Sequence, residues 1–281
     1  MSKFSVLIAN YNNGHFFEKC YQSLVAQTET DWEAVIVDDG STDNSLELIK
    51  KIIGKDQRFK INLNDQNRGI GYTKRRLIAL AGSEICGFLD PDDALTPHAL
   101  EFVLKAHAEN PEAGLVYSNF VRCDEYLNPI SVHKAQQITV LDQSYYNFNA
   151  EISHFVTFKK KIYEKTSGID PFLKIAEDKD WYMKMCEIAP VKYIDEDLYL
   201  YRIHDSGIST TKNSEKALFW HWVALIKMAE RRNISVEDLF LQSYVSKNKY
   251  EHAINQLNHV KNSRWAKLGN KLGLFKIFKD L

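Results

Sequence analysis

Val35-Ile36-Val37-Asp38-Asp39-Gly40-Ser41-Thr42-Asp43 is the stretch whose reading decides the fold. An unbroken run of β-branched residues is what a strand covered on both faces requires, whereas a half-exposed strand alternates apolar with polar. Trp32 to Asp38 is therefore read as a buried strand. Two carboxylates close it, and Ser41-Thr42-Asp43 supplies capping residues before Leu46, Ile49, Ile52 and Ile53, whose spacing predicts a helix.

The same alternation extends on both sides. Upstream, Phe4 to Asn10 reads as a strand, and Gly14 to Gln27 as a helix carrying Phe17, Cys20 and Leu24 on one face. Downstream come a strand at Lys60 to Asn64, a helix through Thr73 to Leu80 and a strand at Ile85 to Leu89. Thr96-Pro97 opens a further helix as N-cap and first-turn proline; it ends near Asn110-Pro111, before a strand at Gly114 to Asn119. After residue 120 the pattern loosens, then gives a helix around Asp180 to Ile188, short strands at Val191 to Ile194 and Leu198 to Tyr201, and a helical region from Ser214 onward. Repeated β-α units imply an α/β fold with a mostly parallel central sheet. In such sheets ligands bind beyond the carboxyl ends of the strands, where the strand order reverses.

Composition bounds the answer further. The 281 residues, 44% hydrophobic and 26% charged, sit at the globular average, long enough for one large domain or a domain with an appendage. The longest apolar runs are far short of the roughly 20 residues that cross a bilayer. Met1-Ser2-Lys3 leads directly into the first strand without the apolar region of a signal peptide, so the chain is expected in the cytoplasm. Four cysteines, Cys20, Cys86, Cys123 and Cys186, lack C-x-x-C spacing and read as buried or incidental thiols. The net charge of −1 conceals an asymmetry: residues 212–281 hold 13 Lys+Arg against 6 Asp+Glu, and residues 1–211 hold 23 against 31. We read 1–211 as one domain, with a division at 119–120 where the regular alternation ends, and 212–281 as a basic helical extension.

The chemistry-bearing residues collect where strands end: Asp38-Asp39, and Asp90-Pro91-Asp92-Asp93. Carboxylates gathered at one sheet edge repel, and a hard divalent cation held by one or two of them and by substrate phosphates relieves that repulsion. The same four residues also suit a turn followed by a helix start. Gly69-Ile70-Gly71 lacks the third glycine of a dinucleotide fingerprint, and no phosphate-binding P-loop occurs. Neither a Rossmann oxidoreductase nor a P-loop NTPase is indicated, and nothing points to nucleic acid.

These motifs together resemble the inverting glycosyltransferases of family 2. The resemblance rests on Val6-Leu7-Ile8-Ala9-Asn10-Tyr11-Asn12, the Asp38-Asp39-Gly40-Ser41 stretch, Asn67-Arg68-Gly69, Leu89-Asp90-Pro91-Asp92-Asp93, Gly168-Ile169-Asp170, Glu177-Asp178-Lys179-Asp180-Trp181 and Tyr201-Arg202-Ile203-His204. It implies the GT-A (nucleotide-diphospho-sugar transferase) fold, with 1–211 the catalytic domain, 1–119 its nucleotide-binding half and 120–211 its acceptor half, and a metal-dependent transfer from a nucleotide sugar, UDP-linked, to a glycan or lipid-linked acceptor in surface polysaccharide synthesis. Carried over by motif, Tyr11 would stack on the base, Asp39 would accept from the uracil imide, and Asp38 would support that pocket or the ribose. Asp90 would contact ribose, Asp92 or Asp93 would ligate Mn²⁺ or Mg²⁺, and His204 would complete the metal site. Asp178 would be the base for the acceptor hydroxyl, although carboxylates at Glu177, Asp178 and Asp180 equally suit a helix start. The sequence departs from the family where Ala-Arg-Asn is usual: it has Lys74-Arg75-Arg76, with Lys74 and Arg75 expected to face the donor diphosphate and Arg76 solvent. His154, Tyr145, Tyr146 and Trp181 read chiefly as packing residues with the acceptor side as their functional alternative.

Two other readings stand beside this one. A sugar-phosphate nucleotidyltransferase would carry a glycine-rich basic signature where Asn10-Tyr11-Asn12 stands, and a binding scaffold would not need every carboxylate. At the far end, residues 261–281 hold six Lys or Arg against one Asp, with Trp265, Leu268, Leu272 and Phe275 spaced by three, four and three. This basic amphipathic pattern suits an anionic membrane surface, or packing on the catalytic domain or a second subunit.

Overall fold

The computed structural model describes residues 2–138, 152–204, 214–241 and 245–271. Tyr145, Tyr146, Leu272 and Phe275 lie outside them. In chain order the elements are β1 (Phe4–Asn10), a single 3₁₀ turn (Gly14–Phe16), α1 (Phe17–Val25), β2 (Trp32–Asp38), α2 (Ser45–Ile53), β3 (Phe59–Leu63), α3 (Ile70–Leu80), β4 (Ile85–Phe88), β5 (Ala94–Leu95) and α4 (Ala99–Glu109). They continue with β6 (Leu115–Cys123), β7 (Pro129–His133), β8 (Thr157–Lys159), α5 (Lys160–Tyr163), α6 (Glu177–Cys186), β9 (Val191–Arg202), α7 (Ser214–Arg232), α8 (Val236–Phe240), α9 (Ser246–Asn262) and α10 (Arg264–Lys271). The chain divides into two compact units, Met1–Met228 and Ala229–Leu281, with α7 running through the boundary.

The strand order is β3-β2-β1-β4-β8-β6-β9-β5, with β7 pairing on β6. β1 lies between β2 and β4 and is parallel to both, and β2 is parallel to β3. A strand inserted between its sequence neighbour and a later one is the reversal point of a doubly wound sheet. It aligns the carboxyl ends of β1, β2 and β4 side by side, at Asn10, Asp38 and Phe88. Beyond β4 the sheet is mixed: β8 is antiparallel to β4 and β6, while β6 and β9 run parallel. The expectation of a mostly parallel sheet therefore describes the first half of the first unit and not the second.

Both faces of the parallel half are covered, as its unbroken apolar runs require. Along β1, Phe4, Val6 and Ile8 point into one core with Phe17, Leu24 and Ile49 of α1 and α2. Leu7 points into the other, with Leu77 and Ile78 of α3 and Trp181 of α6. Fully burying each such side chain contributes about 1.5–3 kcal/mol. Trp181 is wholly buried between Phe88 and Phe158, which settles its role as packing. Cys20, Cys86 and Cys123 are buried and Cys186 partly so, and none of the four is in a disulfide.

Two differences from the sequence reading concern length. β6 runs four residues past Asn119, and the expected strands at 191–194 and 198–201 are one continuous twelve-residue β9. The intervening Asp195-Glu196-Asp197 breaks the apolar pattern yet stays in the strand, since Asn119 Nδ2 donates to Asp195 and Asp197 at 2.8 and 3.1 Å. In α7, Phe219 is exposed.

Candidate active site

The loop after β2 is built by its own carboxylates. Asp38 accepts from Asn10 Nδ2 at 2.7 Å, from the Ser41 amide at 2.9 Å and from Ser41 Oγ at 2.7 Å, so it ties the end of β1 to the Gly40 turn. Asp39 accepts on one oxygen from Asn64 Nδ2 at 2.5 Å and from the Arg68 amide at 2.9 Å, and on the other from the Gly69 amide at 2.9 Å. A carboxylate has about four acceptor positions, so each of these two, with three bonds accepted within the protein, has one in hand. Gly40, at φ +72°, takes a turn that brings its Cα against Gln66 and Asn67, where a Cβ would lie 2.7 Å from backbone. Tyr11, 44% exposed, follows β1 at the rim. Behind it Asn12 Oδ1 accepts from the Thr42 amide at 2.8 Å, and Ser45 Oγ from the Gly14 amide at 2.8 Å.

The loop after β4 sorts its three aspartates into different environments. Asp93 is buried, with Oδ2 accepting from Tyr199 Oη and Oδ1 from the Arg202 amide, both at 2.7 Å. Burial and the adjacent Asp92 and Asp90 hold its carboxyl well above the usual range. Asp93 thus anchors the loop to β9. Asp92 Oδ2 instead lies 2.8 Å from His204 Nε2. Burial would raise Asp92, but the His204 contact and other donors outweigh it and keep the carboxyl below the ordinary value. Asp90 is pushed up to about 6, first by burial and then by Asp92, Glu177 and Asp178, against the pull of Lys74.

Arg202 and Phe16 frame this corner. The Arg202 guanidinium donates to the carbonyls of Asp92 and Glu125 and lies 4.7 Å from the Phe16 ring centroid, while that ring sits 4.6 Å from the His204 imidazole. Neither residue had a role assigned from sequence. Arg202 was visible only as the neighbour, two positions back, of the motif histidine, and nothing in the sequence links the 3₁₀ turn to it.

The third wall is the start of α6. Glu177 is buried and accepts from Lys74 Nζ of α3 at 2.6 Å, the two side chains being 7% and 11% exposed. Burial would lower Lys74, yet the Glu177, Asp90 and Asp178 carboxylates together raise it. Glu177 is raised by burial against the opposing pull of Lys74. Asp178 is half-buried beside it, and its Oδ1 accepts from the Lys179 amide at 2.7 Å. The chain enters α6 through Ala176 in the left-handed region, φ 61°, a conformation that costs a non-glycine residue about 1 kcal/mol. His154 stacks on Tyr199 and Tyr201 at 4.8 and 5.2 Å, and burial drops its pKa to about 4, keeping the ring neutral.

The structure thus gathers Asp90, Asp92, His204, Lys74 and the Glu177-Asp178 pair around one corner, with Tyr11, Asp38 and Asp39 at the adjoining strand ends. Arg75 is not among them, because its Nη1 donates to the Ile169 carbonyl at 3.1 Å. Arg76, expected in solvent, is tied down by donating to the Leu63 carbonyl and to Asn64 Oδ1. Lys74, expected on the donor diphosphate, is committed to Glu177.

The donor set suits a hard divalent ion. Asp92 offers a carboxylate oxygen and His204 an imidazole, while both Asp93 oxygens are used within the protein. Among the described residues no three of His, Cys, Asp or Glu come together as a ready cage. Mg²⁺ and Mn²⁺ are commonly held by one or two protein groups with substrate phosphates completing the shell.

A parallel half-sheet with acidic strand ends, continued by a mixed sheet and faced by a second carboxylate pair at the start of α6, is the architecture of a GT-A glycosyltransferase. The glycosyl transferase family 2 model matches residues 5–167, and the chain belongs to that family. It is 27% identical over 275 residues to the chondroitin synthase of Escherichia coli, a match covering 95% of this chain and 37% of that protein. To the hyaluronan synthase of Pasteurella multocida it is 29% identical over 210 residues, 74% of this chain and 21% of that one. The chain thus spans well under half the length of these relatives. Its fold is similar to that of S. aureus TarS 1-349 in complex with UDP (TM-score 0.63, 20% identity, 80% of this chain and 65% of that one). It is also similar to the Pyrobaculum calidifontis mannosyltransferase PcManGT in complex with GDP-Man and Mn²⁺ (TM-score 0.66, 15% identity, 98% and 81%).

Proposed function

We propose that this chain transfers a sugar, with inversion, from a UDP-linked donor to a hydroxyl of a glycan or lipid-linked glycan in surface polysaccharide assembly, working in the cytoplasm. The observation that carries this reading is the meeting of Asp92 with His204 at the end of β4, opposite the Glu177-Asp178 pair. A donor diphosphate needs the first corner and an acceptor hydroxyl the second. The complexes of TarS with UDP and of PcManGT with GDP-Man and Mn²⁺ support a nucleotide sugar as donor.

In this reading Tyr11 stacks on the base and Asp39 accepts from the uracil imide through its remaining acceptor position, held in place by the Arg68 and Gly69 amides. Asp38 organises the loop and Asp90 meets the ribose. Asp92 and His204 would hold Mn²⁺ or Mg²⁺, whose positive charge would stabilise the departing diphosphate, which takes the bonding electrons. Asp178 takes the proton of the acceptor hydroxyl as its oxygen bonds to the anomeric carbon. Glu177, clamped by Lys74, fixes the helix start from which Asp178 reaches the acceptor.

The test is release of nucleoside diphosphate from a panel of nucleotide sugars, with and without Mn²⁺, in the presence of oligosaccharide acceptors. Turnover of one UDP-sugar that needs Mn²⁺ is expected. A protein that binds and turns over no nucleotide sugar contradicts the proposal.

A further inference from the structure

Within the C-terminal unit, α10 carries its apolar residues on the outside. Trp265 is 80% exposed and Leu268 47% exposed, although they lie three residues apart on one helix face. The helix's one buried described side chain is Ala266, on a different face, so the tryptophan is not what packs α10 in place. Arg264, Lys267 and Lys271 of the same helix are exposed as well. Val260, at the end of α9, is also exposed, at 54%. Among the described residues of α10 there is no acidic side chain, and beyond them the sequence adds Lys276 and Lys279 against Asp280. A monomer gains nothing by holding an indole in water, and a partner face built like a protein interior would leave three or more cations unmatched.

We propose that α10 docks on an anionic phospholipid surface, Trp265 and Leu268 entering the interfacial region while Arg264, Lys267 and Lys271 meet lipid phosphates. Tryptophan is favoured at the headgroup boundary, where one part of the ring is wet and the rest apolar. Charge complementarity selects this occupant: each Lys or Arg near an anionic leaflet strengthens partition about fivefold, an effect that salt screens. The inference stands on α10 alone and is independent of the transferase reading.

Co-sedimentation of the full chain with vesicles of phosphatidylcholine, or of equimolar phosphatidylcholine and phosphatidylglycerol, tests it. Binding to the anionic vesicles alone is expected. It should fall in high salt, fall by about fivefold per charge neutralised in K267Q and K271Q, and fall in W265A/L268A. Because these side chains are exposed, the variants should keep the wild-type melting temperature, and trytophan emission of wild type should shift to the blue on binding. Absence of binding, equal binding to neutral vesicles, or W265A/L268A binding as wild type would overturn the proposal. So would a dimer in sedimentation equilibrium that W265A/L268A dissociates, which would assign the face to a second copy of the chain.

Discussion

Replacing Lys74 with methionine removes the ammonium and keeps the bulk of the chain that lies over the Phe88 ring at 5.2 Å. At 2.6 Å the lost attraction is about 6 kcal/mol gross with an effective dielectric of about 20. The ammonium's own desolvation cost disappears with it, but the Glu177 carboxylate remains buried, beside Asp178 and Asp90. Removing one partner of a buried pair costs about 3–5 kcal/mol net. For a unit of this size that lowers the melting temperature by about 6–20 °C. The pH dependence carries the diagnosis. With no cation opposite, the folded-state carboxyl of Glu177 rises further above its ordinary value of 4.5. A raised carboxyl costs little while it is protonated and increasingly more as pH climbs above the unfolded value. The gap between K74M and wild type should therefore be smallest in acid and widest near neutrality. K74M/E177Q should recover most of the loss, because the stranded charge is gone. Urea unfolding of the four proteins across pH measures all of this as a double-mutant cycle. A K74M cost below about 1 kcal/mol, independent of pH and additive with E177Q, would refute the clamp.

Three further outcomes follow from the same geometry. Asp178→Asn should lower the transfer rate by roughly 10²–10⁴-fold while leaving nucleotide affinity intact, as steady-state rates and calorimetric titration of UDP would record; full activity removes Asp178 as base. His107 is buried against Thr157, and burial drops its pKa from 6.5 to about 3. Its folded form resists protonation, so stability is complete above the unfolded value and declines as pH falls below it, by roughly 2 kcal/mol at about pH 5. Comparing pH-dependent melting of wild type and His107→Gln checks this, with a flatter acid limb expected for the variant. Gly71→Ala would put a Cβ 2.7 Å from the Asp170 carbonyl, so a loss of about 1–3 kcal/mol is expected in thermal unfolding, and an unchanged melting temperature would mean the loop ahead of α6 yields freely.

The sequence made the parallel half of the fold readable because β1, β2 and β4 are covered on both faces and so appear as unbroken apolar runs. β9 was not readable as one strand because the exposed, charged Asp195 and Glu196 interrupt the apolar signal in its middle. The acidic strand ends were legible as a site, yet their division of labour was not. Asp92 and Asp93 are adjacent and chemically identical, and only the positions of His204 on one side and of Tyr199 and Arg202 on the other separate them. Lys74 illustrates the same limit: 103 residues separate it from Glu177, and a basic triplet on a helix reads as a diphosphate contact or a solvated face until the fold shows what each charge faces. Arg75 and Arg76 go to carbonyls at Ile169 and Leu63, which no side-chain pattern announces.

The central claim, that Asp92 and His204 hold a cation against a bound nucleoside diphosphate, is tested most directly by calorimetric titration of UDP into wild type, D92N and H204A, with and without Mn²⁺. The account predicts tight binding to wild type only with Mn²⁺, at least tenfold weaker binding in both variants, and equal weak binding for all three without the metal. UDP binding that ignores Mn²⁺, or variants that bind as wild type in its presence, would contradict it.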